Sequence, residues 1–206
     1  MTVTVLGPTH APDVVRLLAA AFAHYPVMRH VLGHGADYAT RLEILIGLFV
    51  TARVLRQDLV LGILDLQGRL QAAALLTLPG ERPPPHELSE YREEVWRRLG
   101  ADARARYDAF SAAAAPFAPP EPHHHLNMIG VAPAYAGQGL GRRLLDHIHA
   151  LVDRDSSSTG VSLTTETESN RGLYRHFGYR QIGHARIAPG LETWGFFRAS
   201  GGAGVP

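Results

Sequence analysis

Val131-Ala132-Pro133-Ala134-Tyr135-Ala136-Gly137-Gln138-Gly139-Leu140-Gly141-Arg142-Arg143 joins two segments of different periodicity. His125 to Ala132, before it, reads as a strand ended by Pro133. Leu140 to Val152, after it, reads as a helix with Leu140, Leu144, Leu145, Ile148, Leu151 and Val152 on one face. Glycines in such a turn let the backbone fold tightly and aim several N–H groups at one point. The helix N-terminus adds partial positive charge, so the place suits a phosphate or pyrophosphate. The GxGxxG dinucleotide fingerprint fails in both registers: counting from Gly137 its third glycine position holds Arg142, and from Gly139 it holds Leu144. What remains is an anion cradle, or a tight connection that holds no ligand.

Composition narrows the chemistry further. All 20 basic residues are arginine, and the 206-residue chain has no cysteine. A thiolate nucleophile, a disulfide framework, a cysteine-ligated metal, a Schiff-base lysine and the lysine of a GxxxxGK[ST] loop are thereby excluded. A formal charge of +1 gives no strong field toward nucleic acid or an anionic membrane. The N-terminal residues lack a secretion pattern and the apolar runs are shorter than a membrane span, so a cytoplasmic, soluble protein is expected.

Working outward, Thr2 to Leu6 reads as a strand and Ala11 to Phe22 as a helix; a short helical piece follows Pro26, and a longer helix spans Ala39 to Leu55. Leu59 to Leu66 and Leu70 to Leu78 flank the turn Gln67-Gly68-Arg69 as a hairpin. Residues 86 to 113 read as two helices broken near Gly100, and Ala112 to Pro122 as a connector. Val161 to Thr165 reads as a strand, Ser169 to His176 as a helix, and Gln181 to Ala188 with Glu192 to Arg198 as a closing strand pair. This order predicts a mixed α/β domain on one sheet, a single domain over 1–199. Within it, about 81–122 forms a helical and Pro-rich insertion, and 200–206 is a disordered tail.

Ile129-Gly130-Val131-Ala132-Pro133, Gly137-Gln138-Gly139-Leu140-Gly141 and Asn170-Arg171-Gly172-Leu173-Tyr174-Arg175-His176-Phe177-Gly178-Tyr179 together resemble the GNAT family of acyl-CoA-dependent N-acetyltransferases. The resemblance covers about residues 125 to 180. Gly190-Leu191-Glu192-Thr193-Trp194 is similar to the closing strands of the puromycin acetyltransferase-like subgroup. The implied fold is a single mixed, largely antiparallel sheet flanked by helices. The implied activity is transfer of an acetyl group from acetyl-CoA to a primary amine.

The resemblance also implies roles. Ile129, Gly130 and Val131 would pair with the pantetheine arm, the backbone around Gly137, Gln138, Gly139, Leu140, Gly141 and Arg142 would hold the pyrophosphate, and Asn170 would touch the cofactor from the other side. Tyr174 would be the acid that protonates the leaving thiolate. A phenol with a pKa near 10 is protonated at neutral pH and suits that task. Without cysteine, direct transfer in a ternary complex is the simplest mechanism. Two departures stand out: Ala136 occupies a position that is basic or glutamine in the family, where Arg142 or Arg143 could compensate, and Thr164 stands where subgroup relatives often carry an acid.

The general base is open between His125 or His123 and Glu166. Strand neighbours point to opposite faces, so of His123-His124-His125 only the outer two share one, with Asn127 and Ile129 on the face of His125. No metal site is expected. Glu166 follows the strand that would splay from the cofactor strand, and His147 and His149 read as surface residues. Tyr25, Pro26 and Met28 lie where the family places an acceptor-site helix. The expected partner is a small-molecule or peptide amine, with no nucleic acid or membrane, and a homodimer is left open. An alternative of another class is a non-catalytic acyl-CoA-binding or regulatory module.

Overall fold

The computed structural model describes residues 2–80 and 82–201. In chain order the elements are β1 (Val3–Val5), α1 (Ala11–Ala21), α2 (Pro26–Leu32), α3 (Tyr38–Leu55), β2 (Leu59–Leu64), β3 (Leu70–Thr77), α4 (His86–Leu99), α5 (Ala101–Ala114), β4 (His124–Val131), α6 (Leu140–Val152), β5 (Gly160–Thr165), α7 (Ser169–His176), β6 (Arg180–Ala188) and β7 (Leu191–Ala199). The seven strands form one sheet in the order β1-β2-β3-β4-β5-β7-β6. Only β4 and β5 run parallel; the other neighbours are antiparallel. The α/β fold with a single mixed sheet flanked by helices is as the sequence predicts.

Both faces of the central strands are covered, which explains why β3 reads as an unbroken apolar run rather than an alternation. Ala73 and Leu75 face one core, with Leu18 of α1 and Leu42, Leu45 and Ile46 of α3. Ala72, Ala74 and Leu76 face the other, with Leu144, Leu145 and Ile148 of α6 and Phe196 of β7. The expected apolar stripe of α6 is buried apart from Leu151, which is partly exposed against the same core.

Segment 82–122 is not a separate unit. Leu88, Val95, Trp96 and Leu99 of α4 and Ala103 of α5 join the core built by α1 and α3. Arg106 of α5 donates from Nε and Nη2 to the Val31 carbonyl at 3.0 and 2.8 Å, fastening α5 to the end of α2. After a short 3-10 turn at Ala115–Phe117, the Phe117 ring lies against β6 and β7 where Gly183 and Gly195 stand opposite each other. A Cβ on Gly195 would come within 2.7 Å of Phe117 Cβ, and one on Gly183 would overlap the ring. The glycine pair is therefore the seat of the connector.

At the other terminus, Ser200 donates from its amide to the Thr159 carbonyl at 2.9 Å and from Oγ to the Ser158 carbonyl at 3.0 Å, so the ordered chain runs past 199. Residues 202–206 lie outside the described residues. Among the described residues, no helix is long and apolar enough to cross a membrane.

Candidate functional site

The site begins at an irregularity in β4. Leu75 of β3 pairs with Met128 and Leu76 with Leu126, so Asn127 is an extra residue on β4, a β-bulge. The bulge reverses the alternation of side chains. Leu126 packs into the α6 core, whereas Met128 joins the α1–α3 core and a Cβ on Gly130 would stand 3.0 Å from Ala21 Cβ and Leu18 Cδ2. His125 and Asn127 share the α3 side, but Ile129 and Val131 pack toward α6. The expectation that Ile129 shares the face of His125 and Asn127 is thus corrected by one unpaired residue.

The same strand then loses a neighbour. β4 pairs with β5 only over His124–Leu126 against Val161–Leu163. Beyond that the strands part, leaving the backbone of Met128–Val131 on its β5 side without a sheet partner. Unpaired main-chain donors and acceptors there need a ligand or water, and an extended amide-bearing arm would supply matching groups.

Beside the parting lies a cavity of about 350 Å³ lined by Ile129, Gly130, Val131, Gly141, Arg142, Asn170, Tyr174 and Phe177, among others. Gly141 and Arg142, which follow the glycine turn at the start of α6, belong to its wall. Gly137 and Gly139 have φ of 77° and 74°, in the left-handed region, and each has open space where a Cβ would stand, so conformation and not space calls for glycine here. Gly139 is the N-cap of α6, so the first helical amides, that of Leu140 among them, have no partner within the helix. Leu140 itself buries its side chain, so only its backbone can serve a ligand, and Gln138 is exposed. Arg142 Nη2 lies 3.1 Å from His176 Nε2 with its guanidinium over the Phe177 ring, which places a cation in the wall of this cavity.

A second cavity of about 220 Å³ opens on the other side of the parting and shares Ile129, Asn170 and Tyr174 with the first. Phe22, Tyr25, Met28, Phe49, Arg53, Phe110, His125, Asn127, Thr164 and Glu166 also line it. Glu166 is buried, and Thr193 Oγ1 donates to its Oε1 at 2.7 Å. Burial raises its pKa to about 7, against the lowering effect of the Thr193 and Tyr25 hydroxyls. Its backbone amide donates to Tyr25 Oη at 3.0 Å; that hydroxyl also lies 3.1 Å from Thr165 Oγ1, which accepts from Asn170 Nδ2 at 3.2 Å. Tyr174, at the junction of the two cavities, has its pKa pushed up to about 12 by burial and by the nearby Glu166 charge.

The histidines divide. His125 is half-buried with Nδ1 2.8 Å from Ser162 Oγ, and desolvation followed by the Arg53 charge lowers its pKa to about 4. His123 lies near the Glu121 carbonyl, and His124 is buried on the opposite face beside Ser158. His149 is not a plain surface residue: Nε2 lies 3.1 Å from Tyr179 Oη, and burial lowers its pKa to about 4. Among the described residues no group of three or more His, Asp or Glu is placed to hold a metal ion. Sequence reading missed Thr193, Thr165 and Arg53, whose partners are far along the chain and leave no local pattern.

Comparison with known proteins agrees with this geometry. Residues 102–181 match the model of the acetyltransferase (GNAT) domain. A structure described as histone acetyltransferase HPA2 and related acetyltransferase from Corynebacterium glutamicum is 20% identical, with 100% of this chain and 97% of that one covered at a TM-score of 0.70. A polyamine N-acetyltransferase from Drosophila melanogaster is 20% identical over 95% and 97%, at a TM-score of 0.58. A GNAT family acetyltransferase from Brucella melitensis, solved with acetyl-CoA, is 16% identical over 99% and 90%, at a TM-score of 0.50. At these identities the solved structures establish likeness of fold. The domain model matches 80 of the 206 residues, the part that holds β4, the glycine turn, α6, β5 and α7.

Proposed function

We propose that the protein transfers an acetyl group from acetyl-CoA to an amine while both are bound. The observation that carries this reading is the pair of cavities meeting at Asn170 and Tyr174, with a buried carboxylate of pKa near 7 in the second. Acetyl-CoA is the substrate of the first cavity. Ile129, Gly130 and Val131 would pair with its amide arm, Gly137 to Arg142 would hold its pyrophosphate, and Asn170 would close the junction. The amine enters the second cavity, beneath α2 and α5. A closer kinship with the puromycin acetyltransferase-like subgroup rests on Gly190–Trp194 alone.

The two titrating groups divide the proton work. Glu166 accepts the proton of the attacking nitrogen, its pKa lying close to working pH as an efficient base requires. His125, with a pKa near 4, is the weaker base and is assigned to the cavity wall. Tyr174 gives a proton to the departing sulfur. The ionised Glu166 helps to hold Tyr174 protonated; once Glu166 is neutralised that hold relaxes, just as the thiolate needs its proton.

Tyr174→Phe tests the assignment: turnover should fall with CoA affinity little changed. Full turnover in a variant whose chemistry limits the rate would remove Tyr174 from the role. Because Glu166 must be ionised to act, kcat should rise with pH through about 7. A profile flat from pH 5 to 8 would exclude Glu166 as the base.

A further inference from the structure

The wall of the second cavity that adjoins a third cavity is rich in hydrogen-bond donors. Arg53 of α3 has a side chain only 13% exposed and donates from Nε to Asn127 Oδ1 at 3.1 Å. Thr77 Oγ1 donates to the same oxygen at 2.8 Å. Two donors on one amide oxygen fix the orientation of Asn127 and leave its Nδ2 hydrogens for something else. Arg53 and Asn127 line the cavity, which shares Tyr107, Phe110 and His125 with a third cavity.

Charge points the same way. Asp58, whose side chain is fully buried, faces Arg53 at 3.6 Å, Arg56 at 3.8 Å and Arg82 in a close contact. One carboxylate cannot neutralise three guanidiniums. His125 does not add to the positive charge, since it stays neutral, nor does it offset it. With Nε committed to Asn127 and Nη1 facing Asp58, Arg53 Nη2 and the Asn127 Nδ2 amide are neighbouring donors that suit the two oxygens of a carboxylate. Besides these polar groups and Glu166, much of the lining is apolar, with Phe22, Met28, Leu45, Phe49 and Phe110 among it.

We propose that Arg53 and Asn127 bind a carboxylate of the acceptor, so that the substrate class is an amine that also bears a carboxylate, with an apolar body between the two groups. This rests on the reading of the second cavity as the acceptor site. A second ammonium on the acceptor would face Arg53 and be repelled, so di- and polyamines are poor substrates.

The test pairs acceptors in which a methyl group replaces the carboxylate: 4-(aminomethyl)benzoate with 4-methylbenzylamine, and 5-aminopentanoate with pentylamine. Thiol release from acetyl-CoA is measured for each, and 3-phenylpropionate binding is measured by calorimetry beside 3-phenylpropylamine. The carboxylate member of at least one pair should have tenfold or higher kcat/KM. Arg53→Gln should erase that preference and weaken 3-phenylpropionate at least tenfold. Arg53→Lys, which keeps charge beside Asp58 and loses the fork, should retain part of both, and it carries the test if Arg53→Gln does not fold. Equal use of both members, or failure of 3-phenylpropionate to bind the wild-type protein, overturns the carboxylate assignment and leaves the acetyltransferase reading standing. Absence of calorimetric CoA binding, with no thiol release from any amine, overturns the acetyltransferase reading instead.

Discussion

The cofactor slot and the acceptor cavity share Ile129, Asn170 and Tyr174 but are built in opposite ways. The slot is local: a strand, a glycine turn and a helix start within residues 129–142, closed by Asn170, Tyr174 and Phe177 from α7 and the residue after it. The acceptor cavity is gathered from the link between α1 and α2 and from α2, α3, α5, β4, β5 and α7. Its hydrogen bonds span the chain, with Tyr25 and Thr165 140 positions apart and Arg53 and Asn127 74 apart. A short sequence word can encode the first because backbone conformation does the binding. The second depends on side chains brought together by packing, and changes in it need not disturb the slot.

Variants that strike one side alone can break that contrast. The largest effect is expected from Glu166→Gln, which keeps shape and removes the base: kcat should fall about 10²- to 10⁴-fold, with CoA affinity by calorimetry unchanged. Loss of CoA binding in that variant would show the two sides to be one cooperative unit. Gly139→Asp should do the reverse, since a left-handed position is strained for a residue with a Cβ and a new carboxylate would repel the pyrophosphate. CoA binding should weaken about ten- to hundredfold, with the melting temperature lowered modestly. Smaller again is Gly183→Ala, which pushes Phe117 off its glycine seat. It should cost about 1–3 kcal/mol of stability in denaturant unfolding and raise the acceptor KM while CoA binding holds. The smallest change is expected from Thr193→Val. Losing the hydrogen bond to ionised Glu166 raises its pKa further, so the rising limb of kcat moves to higher pH by about one pH unit. A limb shifted to lower pH would show that Thr193 favours the neutral acid.

The same contrast explains what can be read from the sequence. The elements of residues 140–176 follow from periodicity and caps: Leu140–Val152 and Ser169–His176 are found with the expected bounds. Glu166 and Tyr174 are legible as candidates because the resemblance and strand order place them. Their coupling is not, because burial and the Thr193 hydroxyl set it, and Thr193 is 27 positions away on another strand. His149 reads as a surface residue because its spacing ignores the partner: Tyr179 comes from beyond α7. The docking of 82–122 is hidden for a similar reason, as an Ala/Pro-rich connector gives no sign that Phe117 will find two glycines facing each other across β6 and β7.

Asn127 gives β4 two phases. On its His124–Leu126 side, even-numbered positions belong to the layer of α6; beyond it, even-numbered positions belong to the layer of α1. A single strand can thereby show its odd-numbered residues to the acceptor at one end and to the cofactor slot at the other. Deleting Asn127 would make the pairs Leu76–Leu126 and Leu75–Met128 adjacent, keep Ile129 and Val131 toward α6, and take the extra side chain out of the acceptor wall. Within β4, then, the division of labour between the two substrates is a matter of counting as much as of chemistry.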